Sequence, residues 1–195
     1  MEEFVDDIYF EWEYKEIAFG LDVVVTDCII AEEICNQSNP DYVISIWDKG
    51  TYAKEKYAWV NRKNCLVLEF DDVKKDSPTH GYVAPTMDDV VQIVEFAKSI
   101  PDGSRLLVHC GYGISRSSAA AMFAFVARGA DLDSIDHLWT AIRSTWKKRW
   151  RDGPYMRPNA KMIHLADRLF GFDGELFDEY VDKFNPKVDY NDFDV

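Results

Sequence analysis

Nowhere does the sequence run apolar for the ~20 residues that a membrane span needs, so no membrane partner is expected. Cysteine is scarce: the four, at 28, 35, 65 and 110, form no C-x-x-C pair and stand at no metal-ligand spacing with histidine. That excludes a disulfide framework and a structural zinc site as working assumptions. Positive charge is short as well, with 22 Lys and Arg against 35 Asp and Glu, which argues against nucleic acid, whose phosphates recruit cations. The first residues, Met1-Glu2-Glu3-Phe4-Val5-Asp6-Asp7, lack the basic–apolar–small order of a secretion signal. Internal repeats and low-complexity tracts are missing too. The expectation is a cytoplasmic protein with reduced thiols, no metal and no cofactor.

What is present is enough to build a core. The chain has 195 residues, 47% of them hydrophobic, with 12 Phe, 10 Tyr and 6 Trp, which fits one domain over 1–195. The formal charge of −13 sits mostly at the ends. Residues 1–16 carry seven acids and one Lys, and residues 172–195 carry eight acids and two Lys, so the middle is close to neutral. Such acidic N- and C-terminal segments read as solvated flanks.

Along the chain, alternation of Ile8, Phe10, Trp12 and Tyr14 with acids predicts a half-buried strand, and Asp22 to Thr26 a second. Thr26-Asp27 is placed to cap a short helix through Ala31, Ile34 and Cys35. Tyr42 to Trp47 and Cys65 to Phe70 read as buried strands, with a polar helix between them over Tyr52 to Val60. Residues 74–85 are loop by composition. Thr86 opens a helix with Asp88 and Asp89 in its first turn. Arg105 to Val108 is a further strand, Ser118 to Val126 an almost wholly apolar helix ended by Gly129, and Asp131 caps another helix. Asn159 caps a last helix with Met162, Ile163, Ala166 and Leu169 inward and Gly171 at its end; Phe172, Leu176 and Phe177 are candidates for packing from the tail. Strands separated by helices predict an α/β fold with a mainly parallel central sheet flanked by helices.

The informative stretch is Val108-His109-Cys110-Gly111-Tyr112-Gly113-Ile114-Ser115-Arg116-Ser117-Ser118. Read as strand, glycine-bearing loop and helix start, it turns successive backbone N–H groups toward one anion. Cys110 stands at the start of the loop and Arg116 where the helix opens. A thiol beside a helix N-terminus and a fixed cation favours the thiolate. A thiolate nucleophile, a nest of donors and a forked guanidinium suit attack on the phosphorus of a bound phosphate ester.

His109-Cys110, five residues, then Arg116-Ser117 resembles the H-C-x5-R-S/T signature of the cysteine-dependent protein tyrosine phosphatase superfamily. The Gly-Ile-Ser-Arg-Ser-Ser run, its Ala-rich helix and the later Arg157-Pro158-Asn159 with Ala166-Asp167 resemble the compact dual-specificity-like branch of bacteria and phages. The resemblance covers about residues 20–171. It implies a protein tyrosine phosphatase-like fold, with the phosphate-binding loop between a strand and the central helix. It also implies Cys110 as nucleophile and Arg116 as bidentate clamp. Gly111, Tyr112, Gly113, Ile114 and Ser115 then offer N–H groups to the phosphate, with Gly111 and Gly113 permitting the curvature. Ser117 would bond the sulfur, and His109 would order the loop. Phe70-Asp71-Asp72-Val73 resembles the F-x-D-I/V stretch of that branch, which puts the general acid on Asp72, with Asp71 and then Asp76 as alternatives.

The activity so implied is metal-independent hydrolysis of phosphotyrosine in proteins, with phosphoserine and phosphothreonine as further substrates, through a phosphocysteine intermediate. A phosphorylated protein is the expected partner, and a phosphate or similar oxyanion the expected occupant of the loop. Alternatives on the same pattern are a phosphoinositide or RNA 5′-phosphate phosphatase, or a non-catalytic phosphoprotein-binding pseudophosphatase. The segment Gly-Tyr-Gly-Ile-Ser carries no Lys to meet extra lipid phosphates, which disfavours the first. The basic cluster Arg143, Lys147, Lys148, Arg149 and Arg151 reads as a solvated face or as a docking surface for an acidic partner.

Overall fold

The computed structural model describes residues 17–52, 59, 63–139, 157–184, 187 and 193. The strand expected over residues 8–14, most of the helix expected at 52–60 and the basic cluster at 143–151 fall outside the described residues.

Among the described residues five strands form one sheet: β1 (Ile17–Ala18), β2 (Leu21–Asp27), β3 (Tyr42–Trp47), β4 (Cys65–Glu69) and β5 (Ser104–Cys110), in the order β1-β2-β5-β3-β4. The pairs β2·β5, β5·β3 and β3·β4 are parallel, and the two-residue β1 adds an antiparallel edge. This is the mainly parallel α/β sheet that the alternation of strands and helices predicts. Its strands read as near-continuous apolar runs because both faces are covered. Successive side chains of a strand serve opposite faces. Leu106, Val108 and Cys110 therefore join the large core on one face, while Leu107 joins the smaller cluster with Val24, Ala31, Cys35 and Val43 on the other.

The smaller cluster is covered by α1 (Cys28–Gln37), whose N-cap Asp27 accepts hydrogen bonds from the N–H groups of Ile29 and Ile30. On the opposite face lie α2 (Met87–Ser99), α3 (Arg116–Val126) and α5 (Ala160–Phe170). A capping box starts α2: the Thr86 hydroxyl accepts from the N–H of Asp89, whose carboxylate accepts in return from the N–H of Thr86. Every residue of α3 from Arg116 to Phe125 is buried, so this is the central helix that its apolar composition predicts. It begins at Arg116, where the helix was expected to open, two residues before the apolar run that starts at Ser118. It also ends at Val126 with Ala127 as cap, and Gly129, at φ 101°, closes the following turn instead. Residues 132–139, helix α4, follow Asp131, which accepts from the N–H of Ser134 at 2.9 Å.

Asn159 caps α5 by accepting from the N–H of Met162 at 3.0 Å, and Gly171, at φ 73°, ends that helix in the left-handed region. Leu169 departs from its expected inward position and is exposed. A sixth helix, α6 (Glu175–Phe184), occupies part of the acidic segment read as a solvated flank. It buries Leu176, Phe177 and Tyr180. Asp167, buried on α5, accepts from the N–H groups of Gly174 (2.8 Å) and Phe177 (3.0 Å) and so caps the new helix. Of its acids, Glu175, Asp178 and Asp182 are exposed, and Glu179 is half-buried, its carboxyl pKa raised by burial. Net charge therefore hid an amphipathic pattern that one buried carboxylate anchors.

Among the described residues no helix is long and apolar enough to cross a membrane, and no cluster of His, Cys, Asp and Glu could hold a metal ion.

Candidate active site

The carboxyl ends of the parallel strands converge on one loop. Central β5 ends at Cys110 and α3 starts at Arg116, so residues 111–115 connect the middle of the sheet to the middle of the helical layer. In the parallel register Asp27 lies opposite Cys110 on one side, and Ser45 opposite His109 on the other. Loops at the carboxyl ends of open α/β sheets are where ligands bind in this architecture.

Gly113 decides the shape of the loop. It adopts φ 69°, and a Cβ there would lie 2.5 Å from the Thr26 carbonyl carbon and 2.6 Å from the Asp27 nitrogen. No other residue fits. Gly111 is under no such constraint, since it stays outside the left-handed region and a Cβ would meet only Arg116 Nη2, at 3.8 Å. The Ser118 hydroxyl lies 2.8 Å from the carbonyl oxygens of both Ile114 and Ser115 and draws the loop's end onto α3. Among the described residues, no protein acceptor pairs with the N–H groups of Gly111, Tyr112, Gly113, Ile114 and Ser115. Five consecutive donors at a helix N-terminus make an anion cradle.

Cys110 is buried, and its Sγ lies 3.3 Å from the Ser117 hydroxyl, itself fully buried in the first turn of α3. All four cysteines are free thiols. Cys28, beside the loop, has its thiol pKa raised by burial first, then by the Asp27 carboxylate.

Arg116 is 3% exposed and held on two sides. Its Nη1 donates to the Phe70 carbonyl at 2.6 Å, and its Nη2 pairs with Asp48 at 2.7 Å. Its Nε is buried without a protein partner among the described residues. Nε–H and the second Nη2 hydrogen make up the fork edge that takes an oxyanion bidentately.

His109 is fully buried, with Nε2 2.7 Å from the Ser45 hydroxyl, which accepts from the Trp47 indole N–H at 2.6 Å. The ring packs edge-on against Trp47 at 5.3 Å and at a tilt of 48° against Trp59 at 5.2 Å. Burial, with the Arg116 charge as a lesser contribution, lowers its pKa to about 4, against the opposing pull of the Cys110 backbone and Asp27. The imidazole is neutral at pH 7. The Ser45 hydroxyl, with one lone pair taken by Trp47, keeps a hydrogen and a second lone pair with which to meet Nε2.

The two neighbouring aspartates part company. Asp71 is buried, and its carboxylate accepts from the N–H of Val83 at 2.7 Å and of Lys49 at 3.3 Å. Asp72 is exposed and turns over the loop: its Oδ1 accepts from the Ser115 hydroxyl at 2.6 Å and from Asn159 Nδ2 at 2.7 Å. Asp76 accepts from the N–H of Ala84 at 2.7 Å. Of the three carboxylates weighed as acid, Asp72 is thus the one bonded to the signature loop, and the other two hold the 71–84 loop in shape.

Sequence reasoning did not single out Ser45, Trp47 and Asp48, which reach the loop from the end of β3. Asn159 was legible only as a helix cap, though its amide also holds Asp72. Backbone hydrogen bonds explain why it is near: Arg157 N–H donates to the Ile114 carbonyl at 3.1 Å, and Asn159 N–H to the Ser115 carbonyl at 3.2 Å. Beside the loop on that side opens a cleft of about 430 Å³, which reaches Asp72 and Ser115 but not Cys110.

No family model matches the sequence, and no curated protein matches it. Among solved structures the chain is similar to the Yvh1 phosphatase domain from Chaetomium thermophilum, at 16% identity over 79% of this chain and 93% of that one, with a TM-score of 0.48. Similarity at that level is too low to support a reading of chemistry.

Proposed function

We propose that the protein is a metal-independent cysteine phosphatase of the compact dual-specificity-like branch. Its substrate is phosphotyrosine in proteins, with phosphoserine and phosphothreonine as further substrates. One observation carries the reading: a buried thiol at a strand end, and five loop N–H groups and an Arg116 Nε that have no protein acceptor among the described residues, converge on one loop.

The phosphate of the substrate sits in the loop, with its oxygens on the 111–115 amides and the Arg116 fork. The Cys110 thiolate attacks phosphorus as the bond to the leaving oxygen breaks, and the developing charge is met by donors already in place. Asp72 donates a proton to the leaving alkoxide or phenoxide. Both donors to Asp72 hold Oδ1, which leaves Oδ2 to carry that proton. In the second step the Asp72 carboxylate accepts a proton from water as the water attacks the phosphocysteine, and the thiolate departs. The Ser117 hydroxyl, 3.3 Å from Sγ, stabilises the departing thiolate. His109, neutral at pH 7, holds the strand end through Ser45 and transfers no proton. A free thiol nucleophile suits a reducing compartment such as the cytoplasm.

The test is phosphate release from a phosphotyrosine peptide in the presence of EDTA. Wild type is expected to turn over and Cys110→Ser to release nothing above background. Retained activity in Cys110→Ser overturns the thiolate mechanism. A wild type that binds the peptide without releasing phosphate makes the protein a phosphoprotein-binding module instead.

A further inference from the structure

We infer that Phe193 is a positioning residue for the proposed acid: its ring, seated between α5 and α6, braces the loop that carries Asp72 by holding Lys74. The inference rests on the phosphatase reading and adds to it a segment that the signature resemblance, which ends near residue 171, does not cover.

Phe193 belongs by sequence to the acidic segment 172–195, yet it is only 4% exposed. Its ring stacks on His164 of α5, with 5.1 Å between centroids and 24° between planes, and meets Phe177 of α6 edge-on at 5.5 Å. Its carbonyl accepts from Lys161 Nζ at 3.2 Å. Two cations then use the same ring: Lys161 Nζ lies 5.7 Å from its centroid and Lys74 Nζ 5.9 Å. Both distances fall inside the ~6 Å within which the negative face of an aromatic ring attracts a cation. Lys161 stands in the first turn of α5, and Lys74 on the loop that follows β4. Phe193 therefore ties that loop to α5.

The tie bears on the acid through the shape of the loop. Asp71 and Asp76 pin it at two points, by accepting from the N–H groups of Val83 and Ala84. Residues 72–75 arch between those points, and Asp72, Lys74 and Lys75 are exposed. The donors that hold the Asp72 side chain, the Ser115 hydroxyl and Asn159 Nδ2, both end on one atom, Oδ1. Two bonds to one atom leave the carboxyl free to turn about it, and Oδ2 with it. A hold on the arch two residues further on limits that turn. Asn159 caps α5, and Lys161 and His164 lie on it, so one helix supplies both the grip on Asp72 and the seat of the brace. Proton transfer to a leaving oxygen depends on where the acid points as well as on its pKa.

The experiment measures kcat and KM of the full chain on two substrates. One is an alkyl phosphate, whose leaving group needs the proton; the other is para-nitrophenyl phosphate, whose leaving group does not. Wild type is compared with Phe193→Leu, Lys74→Met, the two combined, and Lys74→Arg, at a temperature where urea unfolding shows each to be folded. Phe193→Leu keeps an apolar side chain in the seat and removes the π face. The brace raises the population of the aligned arch by no more than the factor of one exposed cation–π contact, about twofold to fivefold. Each single variant that breaks the contact is expected to lower kcat for the alkyl phosphate by about that factor. Its KM values and its kcat for para-nitrophenyl phosphate should stay at wild type. The combined variant should fall no further than either single one, since both remove the same contact, and Lys74→Arg, which keeps the cation, should match wild type. Losses that multiply in the combined variant overturn the coupling between Lys74 and Phe193. Equal losses on both substrates mean that Phe193 only supports the fold, which overturns the positioning role. An unchanged alkyl phosphate rate in Phe193→Leu overturns it as well. In each of these cases wild type still turns over and the phosphatase reading stands. A wild type inert on both substrates overturns the phosphatase reading, and the role of Phe193 with it.

Discussion

On its inner side the loop of residues 111–115 rests on the sheet, where Gly113 touches the Thr26–Asp27 backbone and His109, Ser45 and Trp47 form a buried polar chain. On its outer side it meets Asp72, Asn159 and Arg157, around an open cleft. The inner wall is buried and has no room to rearrange: a single added methyl at Gly113 would collide with main chain. The outer wall is exposed and held by side-chain hydrogen bonds. Position is fixed where water is excluded, and Asp72, the acid proposed above, sits where water reaches it. The adjacent aspartates show the division within two residues, since Asp71 is buried and bonded to the backbone of Val83, and Asp72 is exposed and bonded to the loop.

Exchanging that pair is the strongest way to break the comparison. Asp72→Ala removes the acid of the outer wall and is expected to lower kcat for phosphotyrosine peptide by about 10²–10⁴-fold. The melting temperature should hardly move, because Asp72 is exposed. Asp71→Ala should do the reverse, removing the buried carboxylate to which the half-buried N–H of Val83 donates and costing about 1–2 kcal/mol of stability. At temperatures where it remains folded, its kcat should stay within about tenfold of wild type. Paired steady-state kinetics and denaturant unfolding decide. If Asp71→Ala lost the rate and Asp72→Ala the stability, the division of roles would be reversed.

The inner wall has its own pH signature. The pKa of His109 is near 4 in the folded protein, well below its ordinary value, so between those two pH values the unfolded chain binds a proton that the folded chain does not. Stability is therefore full above the ordinary histidine pKa and is lost as pH falls through the folded value. This one group accounts for a loss of about 2 kcal/mol between pH 7 and 5, and about 3 kcal/mol by pH 4. Urea unfolding of wild type and His109→Gln at several pH values should give curves that converge toward acid by that amount. Parallel curves would mean that His109 is not held neutral by burial.

How legible each part was follows the same division. The strand ends, the central helix and the Cys110–Arg116 loop were readable because apolar runs, glycines and a fixed spacing are local in sequence. Ser45 and Trp47 were not, because the bonds that join them to His109 cross 64 residues of chain and depend on strand order. Strand order places β3 next to β5 although α2 and β4 lie between them in sequence. The choice between Asp71 and Asp72 was open in sequence for another reason. Both follow the strand end, and their facing is settled by the turn that pairs Asp71 N–H with the Val83 carbonyl at 2.7 Å. Helix α6 was obscured by charge, since its anchor Asp167 belongs to the preceding helix.

The smallest expected effect lies at Asn159, which belongs to both walls' logic at once. Its Oδ1 caps α5, and its Nδ2 donates to Asp72. Asn159→Ser keeps an N-cap acceptor, so stability should change by only a few tenths of a kcal/mol. The shorter side chain cannot also reach Asp72, which then keeps one donor, Ser115, on Oδ1. One neutral hydrogen bond lost from a positioned acid amounts to about 1 kcal/mol, or roughly a fivefold fall in kcat. The effect should be seen with an alkyl phosphate, whose poor leaving group needs the proton. It should nearly vanish with para-nitrophenyl phosphate, whose leaving group does not. Equal loss on both substrates would mean that Asn159 shapes the loop rather than the acid, and the outer wall would then be as rigid in its function as the inner one.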